Sequence, residues 1–332
     1  MLLSHKRTVP LVRPPKGLHE APPSLLSAQW DPKSLRLWVR YWLKDPICGA
    51  LEFGLYYLLR LLPVEHCSAL GAWRGRYGRS EHKELEQRAR AALARLRPDL
   101  RDREQINILI EQLRQNAGRT FLETLVSDRI SNSTRVRAAD PAAVSEILQD
   151  SRPVIFVTVH TANLGDTMGG ALLALSGRHG TTVTRPFLNR FRQRLSVKLR
   201  PRTNATILPP GIGTTRQLLR HLQQSDTFVL LHLDEARGKQ IHFPTFGRPL
   251  PRGGNLSVAI RLAAATGARL VPVHLERLPG VRYTLHMSAP LLVPSQAGQD
   301  VLDTIAEQLD NHFSAVIRAH MSDWLQLYYL RV

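Results

Sequence analysis

From Pro153 to Met287 the chain alternates short apolar runs with amphipathic ones, and this alternation narrows the choice of fold more than any other feature. PVIFVTV is followed by a glycine-bearing segment from Asp166 to Leu175, then TTVTR, a stretch through Phe191 to Leu199, ATIL, TTRQLLRHLQQ and TFVLLHL. NLSVAIRLAAATG, RLVPVHLER and VRYTLHM complete the series. Short apolar runs predict strands, and three- and four-residue spacing predicts helices. Strands alternating with helices build a mostly parallel or mixed central sheet flanked by helices. The expected fold class is α/β.

Ahead of this region the pattern is helical, over His82 to Arg97 and Arg103 to Val126, with Pro98 and Asp99 between them. Strand signals begin only at Pro153. Further upstream, Ile47 to Leu62 is apolar but short and interrupted by Glu52 and Arg60, so it falls below the length of a membrane span. Its flank sets Trp38, Tyr41 and Trp42 among Arg36, Arg40 and Lys44, a mixture suited to lipid headgroups. A helix lying on a membrane is favoured over an ordinary buried helix pair. Repeated prolines among basic residues break up the first thirty positions, which predicts a mobile tail and no secretory signal. The expected organisation is a tail over 1–30, a helical membrane-contacting region over 31–130, and an α/β domain over 131–332 packed with it.

A formal charge of +18 favours acidic partners: nucleic acid, anionic lipid or an acidic carrier protein. Nucleic acid is the weakest of these, because the arginines are scattered, the few aromatics are not interleaved with basic residues, and no zinc-finger or RNP pattern is present. Cys48 and Cys67 are the only cysteines. They support neither a disulfide framework nor a cysteine metal site, and they fit a reducing, cytosol-facing location. Neither a metal nor a resident cofactor is expected.

Open α/β sheets place ligands beyond the carboxyl ends of their strands. His160, Arg185 and Asp234 all fall at or just beyond such ends, which makes them candidates for base, anion partner and carboxylate. In HTANLGD, Asp166 stands close to His160 in sequence and is the first choice for the carboxylate that orients the imidazole. It also suits the bland duty of capping the next helix. RGGN, Arg252 to Asn255, precedes a helix start where backbone N–H groups favour a phosphate or carboxylate, although a plain glycine turn with an Asn cap fits equally.

These segments resemble the lipid A secondary acyltransferases, the lauroyl and myristoyl transferase family within the lysophospholipid acyltransferase superfamily. The resemblance runs from about Leu51 to Val332, through NAGRTFLETL, the His160 junction, VTRPFLN, LLHLDEARGKQIHFPTFGRPLPRGGN, AAATGARLVPVHLERL and VIRAHMSDWLQL. It implies a membrane-associated enzyme at the cytoplasmic face of the bacterial inner membrane, moving a fatty acyl chain from a thioester to a hydroxyl of a lipid or glycolipid. Acyl carrier protein or coenzyme A would carry the donor. His160 would be the general base, Arg185 the family's arginine, Asp234 its later acidic residue, Phe246 and Gly247 its phenylalanine–glycine block, and Glu123 a structural glutamate.

The family places a carboxylate five positions after the histidine, where this chain has Gly165, with Asp166 one place later. Three outcomes stay open: a turn one residue longer, transfer of the duty to Asp234 or Glu235, or altered activity. Asn163, Arg185, Glu235, Gly253 and Gly254 are the candidate substrate-binding residues. The competing readings are a non-catalytic lipid-binding homologue and, less favoured, a nucleic-acid-binding protein.

Overall fold

A computed structural model of the protein describes residues 22–28, 31–78, 83–100, 102–131, 133–162, 166–199, 204–211, 213–237 and 240–331. Most of the tail expected over 1–30 therefore lies outside the described residues. After a short helix α1 (Leu25–Ala28), Asp31 starts α2 (Pro32–Val39) by accepting hydrogen bonds from the Lys33 and Ser34 amides, with proline in the first turn. A π-helical turn, Arg40–Lys44, leads directly into α3 (Asp45–Arg60). Then follow α4 (Val64–Tyr77), α5 (Lys83–Leu96), α6 (Arg103–Thr124) and α7 (Ser127–Ser131). Helices α4 and α6 touch backbone to backbone: a Cβ on Gly71 would come within 2.5 Å of the Gly118 carbonyl oxygen. Glu123, in the last turn of α6, is completely buried.

The remaining elements are β1 (Val136–Ala138), α8 (Pro141–Gln149), β2 (Val154–Thr158), α9 (Asp166–Ser176), β3 (His179–Val183), α10 (Arg190–Leu199), β4 (Ala205–Leu208) and α11 (Thr214–Leu222). They continue with β5 (Thr227–His232), a small antiparallel ribbon of β6 (Ala236–Arg237) and β7 (Gln240–Ile241), α12 (Asn255–Thr266), β8 (Arg269–Leu278), β9 (Arg282–Met287) and α13 (Gln299–Ala319). Seven strands form one sheet in the order β1-β9-β8-β2-β5-β3-β4. Every pairing in it is parallel except β8 with β9. This is the mixed, mostly parallel α/β sheet that the alternating pattern predicts.

The apolar run Val154–Thr158 is buried at every position because it is the middle strand, covered on both faces. One face packs against α5, α6, α11, α12 and α13, the other against α3, α4, α7 and α9. Several elements fall outside the pattern, among them α8, the β6–β7 ribbon, β1 and α13. Strand β1 lies ahead of Pro153, where no strand is expected: three residues are too few to show a period, and they become a strand only because the edge of β9 offers a ladder. Similarly, α13 docks Leu309, Phe313 and Ile317 fully into the core and delivers the C-terminal segment to the site.

Candidate active site

Strands β2 and β5 are neighbours in parallel register, with Thr158 opposite His232. The chain leaves both strands at the same end, and the Leu233 amide still bonds to the Thr158 carbonyl at 2.8 Å. His160 and Asp234 each lie two residues past that register pair, so the sheet alone sets them face to face. The His160 Nδ1 atom is 2.7 Å from Asp234 Oδ1, and the His160 amide donates to Oδ2 at 2.9 Å. The indole Nε1–H of Trp324 donates to the same Oδ2 at 2.9 Å. Asp234 and Trp324 are fully buried, whereas about 19% of the His160 side chain is exposed toward a cavity.

Burial works against a charge on either partner. For His160, the Asp234 charge and hydrogen bond outweigh that penalty, and its pKa stands above the ordinary 6.5. For Asp234, the His160 charge and its two hydrogen bonds outweigh burial and hold the carboxyl below 3.8. A carboxylate fixed on Nδ1 leaves Nε2 as the free nitrogen, the arrangement in which an imidazole accepts a proton from a substrate.

The turn carrying His160 is held from below. Thr161 pairs with Trp324, and its hydroxyl donates to the Leu275 carbonyl at 3.2 Å. Ala162, at φ 60°, donates its amide to the Asp323 carbonyl, and its own carbonyl accepts from Arg277 Nη2 at 2.8 Å. Arg277 in turn forks onto Glu123 at 2.7 and 2.8 Å, and the Tyr283 hydroxyl adds a third bond at 2.5 Å. Burial raises the Glu123 pKa, but Arg277 overcomes it and leaves the group below 4.5. A buried ion pair thus fixes the backbone two residues from the histidine.

Asp166 does not take the place expected of it. A ring nitrogen has one hydrogen-bonding direction, and that of Nδ1 is filled by Asp234. Asp166 stands in the first turn of α9 and lines the same cavity. Gly253 and Gly254 also differ from expectation. The carboxylate at the start of α12 comes from the protein itself: Glu235 Oε1 accepts from the Asn255 amide at 2.9 Å. Gly254 is at φ 84°, and a Cβ there would meet Glu235 Oε1 at 2.2 Å, so the glycine makes room for this cap. The second oxygen of Glu235 is buried without a hydrogen-bond partner among the described residues, and burial raises the pKa of the group above 4.5. Arg185 is exposed on the cavity rim and has no hydrogen-bond or ion-pair partner among the described residues. Asn163 lies outside the described residues.

The cavity measures about 580 Å³ and runs from His160 and His232 between α9 and the strands β3 and β4. Leu173, Leu199, Phe228 and Leu230 give it apolar walls, and Thr181, Thr182 and Glu235 polar ones. A Cβ on Gly180 would strike the Phe228 ring at 2.4 Å. His232, Trp324 and Arg277 escaped the sequence reading. In LLHLDE, however, His232 stands two residues before Asp234, which was a usable signal for the first. Among the described residues, no three His, Cys, Asp or Glu side chains could hold a metal ion.

The family match defines an acyltransferase acting on lipid, built here on a mixed, mostly parallel sheet. The chain belongs to the bacterial lipid A biosynthesis acyltransferase family, whose pattern it matches over residues 35–330. No curated protein matches it. Among solved structures it is similar to the 1-acyl-sn-glycerophosphate acyltransferase PlsC from Thermotoga maritima, at 14% identity over 82% of this chain and 98% of that one, with a TM-score of 0.35. It is also similar to the pilus retraction motor PilT with bound ADP, at 11% identity over 57% and 60% of the two chains, with a TM-score of 0.25. Both likenesses are too distant to carry an argument.

Proposed function

We propose that the protein transfers a fatty acyl chain from a thioester to a hydroxyl of a membrane lipid or glycolipid, with His160 as general base. The observation that carries this reading is the buried Asp234 carboxylate on Nδ1 of a histidine whose other edge opens into a partly apolar cavity. Neutral His160 takes the hydroxyl proton as the oxygen attacks the thioester carbonyl, and gives a proton to the departing thiolate. Asp234 stabilises the imidazolium that forms between the two events. Arg185, exposed at the rim, suits a phosphate of the acceptor or of the donor's pantetheine arm. His160→Ala is expected to remain folded, at a lower thermal midpoint because the buried Asp234 loses its partner, and to lose at least about a hundredfold in turnover. Near wild-type turnover would refute the base.

The acceptor side of the reading rests on the surface beside the cavity. Leu43, Ile47, Leu51 and Leu58 of the α2–α3 region are exposed, and Phe187 and Leu188 stand exposed in the loop that also carries Arg185. Arg40, Lys44, Arg192 and both loop residues border a second cavity of about 500 Å³. Among the described residues no helix is long and apolar enough to cross a membrane. An apolar face bordered by Lys44 and by Arg40 and Arg192, which pair with Asp45 and Glu52, fits monotopic docking, here at the cytoplasmic face of the inner membrane. Since an exposed leucine or isoleucine contributes about 1.5–3 kcal/mol when buried, the double change Leu43→Glu with Ile47→Glu should weaken flotation with phosphatidylglycerol vesicles at least tenfold. Unchanged flotation would rule this face out.

The +18 charge makes an acidic acyl carrier protein the donor we favour over coenzyme A. Initial rates measured in neutral detergent should then fall more steeply with salt for the carrier thioester than for the coenzyme A thioester, because screening acts over about 8 Å at physiological ionic strength. Equal slopes would remove the carrier from the reading.

A further inference from the structure

His160 does not face the cavity alone. His232, the last residue of β5, lies two positions before Asp234 in the chain, and its ring stacks on that of His160 with centroids 4.1 Å apart at 24°. Both rings line the main cavity. The backbone of His232 is pinned, since its carbonyl accepts from Asn255 Nδ2 at 2.7 Å. Its ring is not: neither nitrogen has a hydrogen-bond partner among the described residues, and neither is among the polar atoms sealed from the cavity. Asp234, Trp324, Arg277 and Glu123 are committed to one another or to the His160 turn, so this ring, in direct contact with His160, offers an open hydrogen-bonding edge beside the base.

Two stacked imidazoles cannot both be charged. His160 gains its proton with help from Asp234, whereas burial first, and the repulsion of His160 second, push the His232 pKa down to about 3. His232 is therefore the neutral ring of the two near neutral pH. A neutral imidazole always holds one N–H donor and one acceptor. Arg185, by contrast, is exposed to solvent at the rim, where a donor is worth less than inside a water-poor site.

We propose that His232 is a second catalytic residue of the acyl transfer, donating its ring N–H to the thioester carbonyl oxygen as that oxygen becomes negative. The inference rests on the reading of His160 as base. The acceptor oxygen forms its bond to the carbonyl carbon, its proton passes to His160 Nε2, and the carbonyl π pair moves to the oxygen held by His232. When that pair returns, the carbon–sulfur bond breaks and the thiolate takes the proton from His160. The attacking and carbonyl oxygens share one carbon, so two stacked rings can address them separately.

The test uses the full chain, a lauroyl thioester of acyl carrier protein or of coenzyme A, and an underacylated lipid A precursor in detergent micelles. His232→Ala should lower kcat about a hundredfold with little change in the donor KM, as expected for a donor used only in the transition state. His232→Gln, which keeps an N–H, should recover at least about tenfold of that. His232→Phe keeps the stack without the donor and should remain as slow as alanine. Because Gln and Phe both fill the space, their comparison stands even if the alanine variant folds poorly.

Recovery by Phe as good as by Gln would overturn the donor role in favour of stacking alone. The acid limb of the kcat/KM profile should persist in His232→Gln, because the base is elsewhere. Its disappearance would make His232 the base and overturn the proposal. An inactive His160→Ala beside fully active His232 variants would refute this inference alone. An active His160→Ala would refute the reading beneath it.

Discussion

Asp234→Asn is expected to lower kcat by about 10⁴-fold in a protein that still folds, the loss that follows when a catalytic imidazole is held in the wrong tautomer. Asp234 Oδ2 accepts two N–H groups, from the His160 backbone and from Trp324, and only an amide oxygen can replace it there. The amide NH₂ is then forced toward His160 Nδ1, which must accept instead of donate. The imidazole proton moves to Nε2, and the nitrogen facing the substrate has no lone pair to offer. Turnover within tenfold of wild type would show that Asp234 does not set the tautomer.

The same substitution has a pH signature. In the wild type, His160 has a pKa above 6.5, so the acid limb of kcat/KM lies above that value. Without the Asp234 charge, burial governs, and the residual acid limb moves to lower pH. Stability follows the same pair. The raised His160 value contributes stability below 6.5 that is lost as pH rises through the folded pKa; the lowered Asp234 value contributes stability above 3.8 that is lost as pH falls through it. The gap in Tm between wild type and Asp234→Asn should therefore be widest between about pH 4 and 6.5.

Arg277→Ala is expected to cost about 3–5 kcal/mol, because it strands the fully buried Glu123 carboxylate. For a chain of this size that corresponds to a Tm lower by roughly 5–10 °C. It also frees the Ala162 carbonyl, so activity should fall even where the protein is folded. Pairing it with Glu123→Gln should restore part of the stability, since no buried charge is then left alone. The pH dependence reverses in the single variant. With Arg277 present, Glu123 lies below 4.5 and its stabilisation is lost as pH falls through the folded pKa. Without Arg277, burial raises that pKa above 4.5, and protonation relieves the penalty. The Tm gap should narrow on acidification; a constant gap would mean that Glu123 is not charged in the fold.

Much of this molecule was written locally. The period of the apolar residues indicated β2, β3, β4, β5, β8 and β9 and the helices between them, though not the β6–β7 ribbon, because pleat and helix repeat act over a few residues. The place of His160 just past a buried strand followed from the same pattern. The exposed apolar and basic faces of α2 and α3 were legible for the same reason.

The identity of the partner carboxylate was not local. Asp166 is six residues from His160 in sequence and Asp234 is 74 away, yet Asp234 holds the ring. What decides this is the strand order, which seats β5 beside β2 although β3 and β4 come between them in the chain. Once Thr158 and His232 are in register, two further residues on each strand end necessarily meet. Trp324 and Arg277 reach the site from still greater separation, through the docking of α13 and the packing of β8 against α6. A sequence specifies hydrogen-bonding capacity residue by residue, but which capacities meet depends on the order in which the strands pack, and only the folded sheet fixes that order.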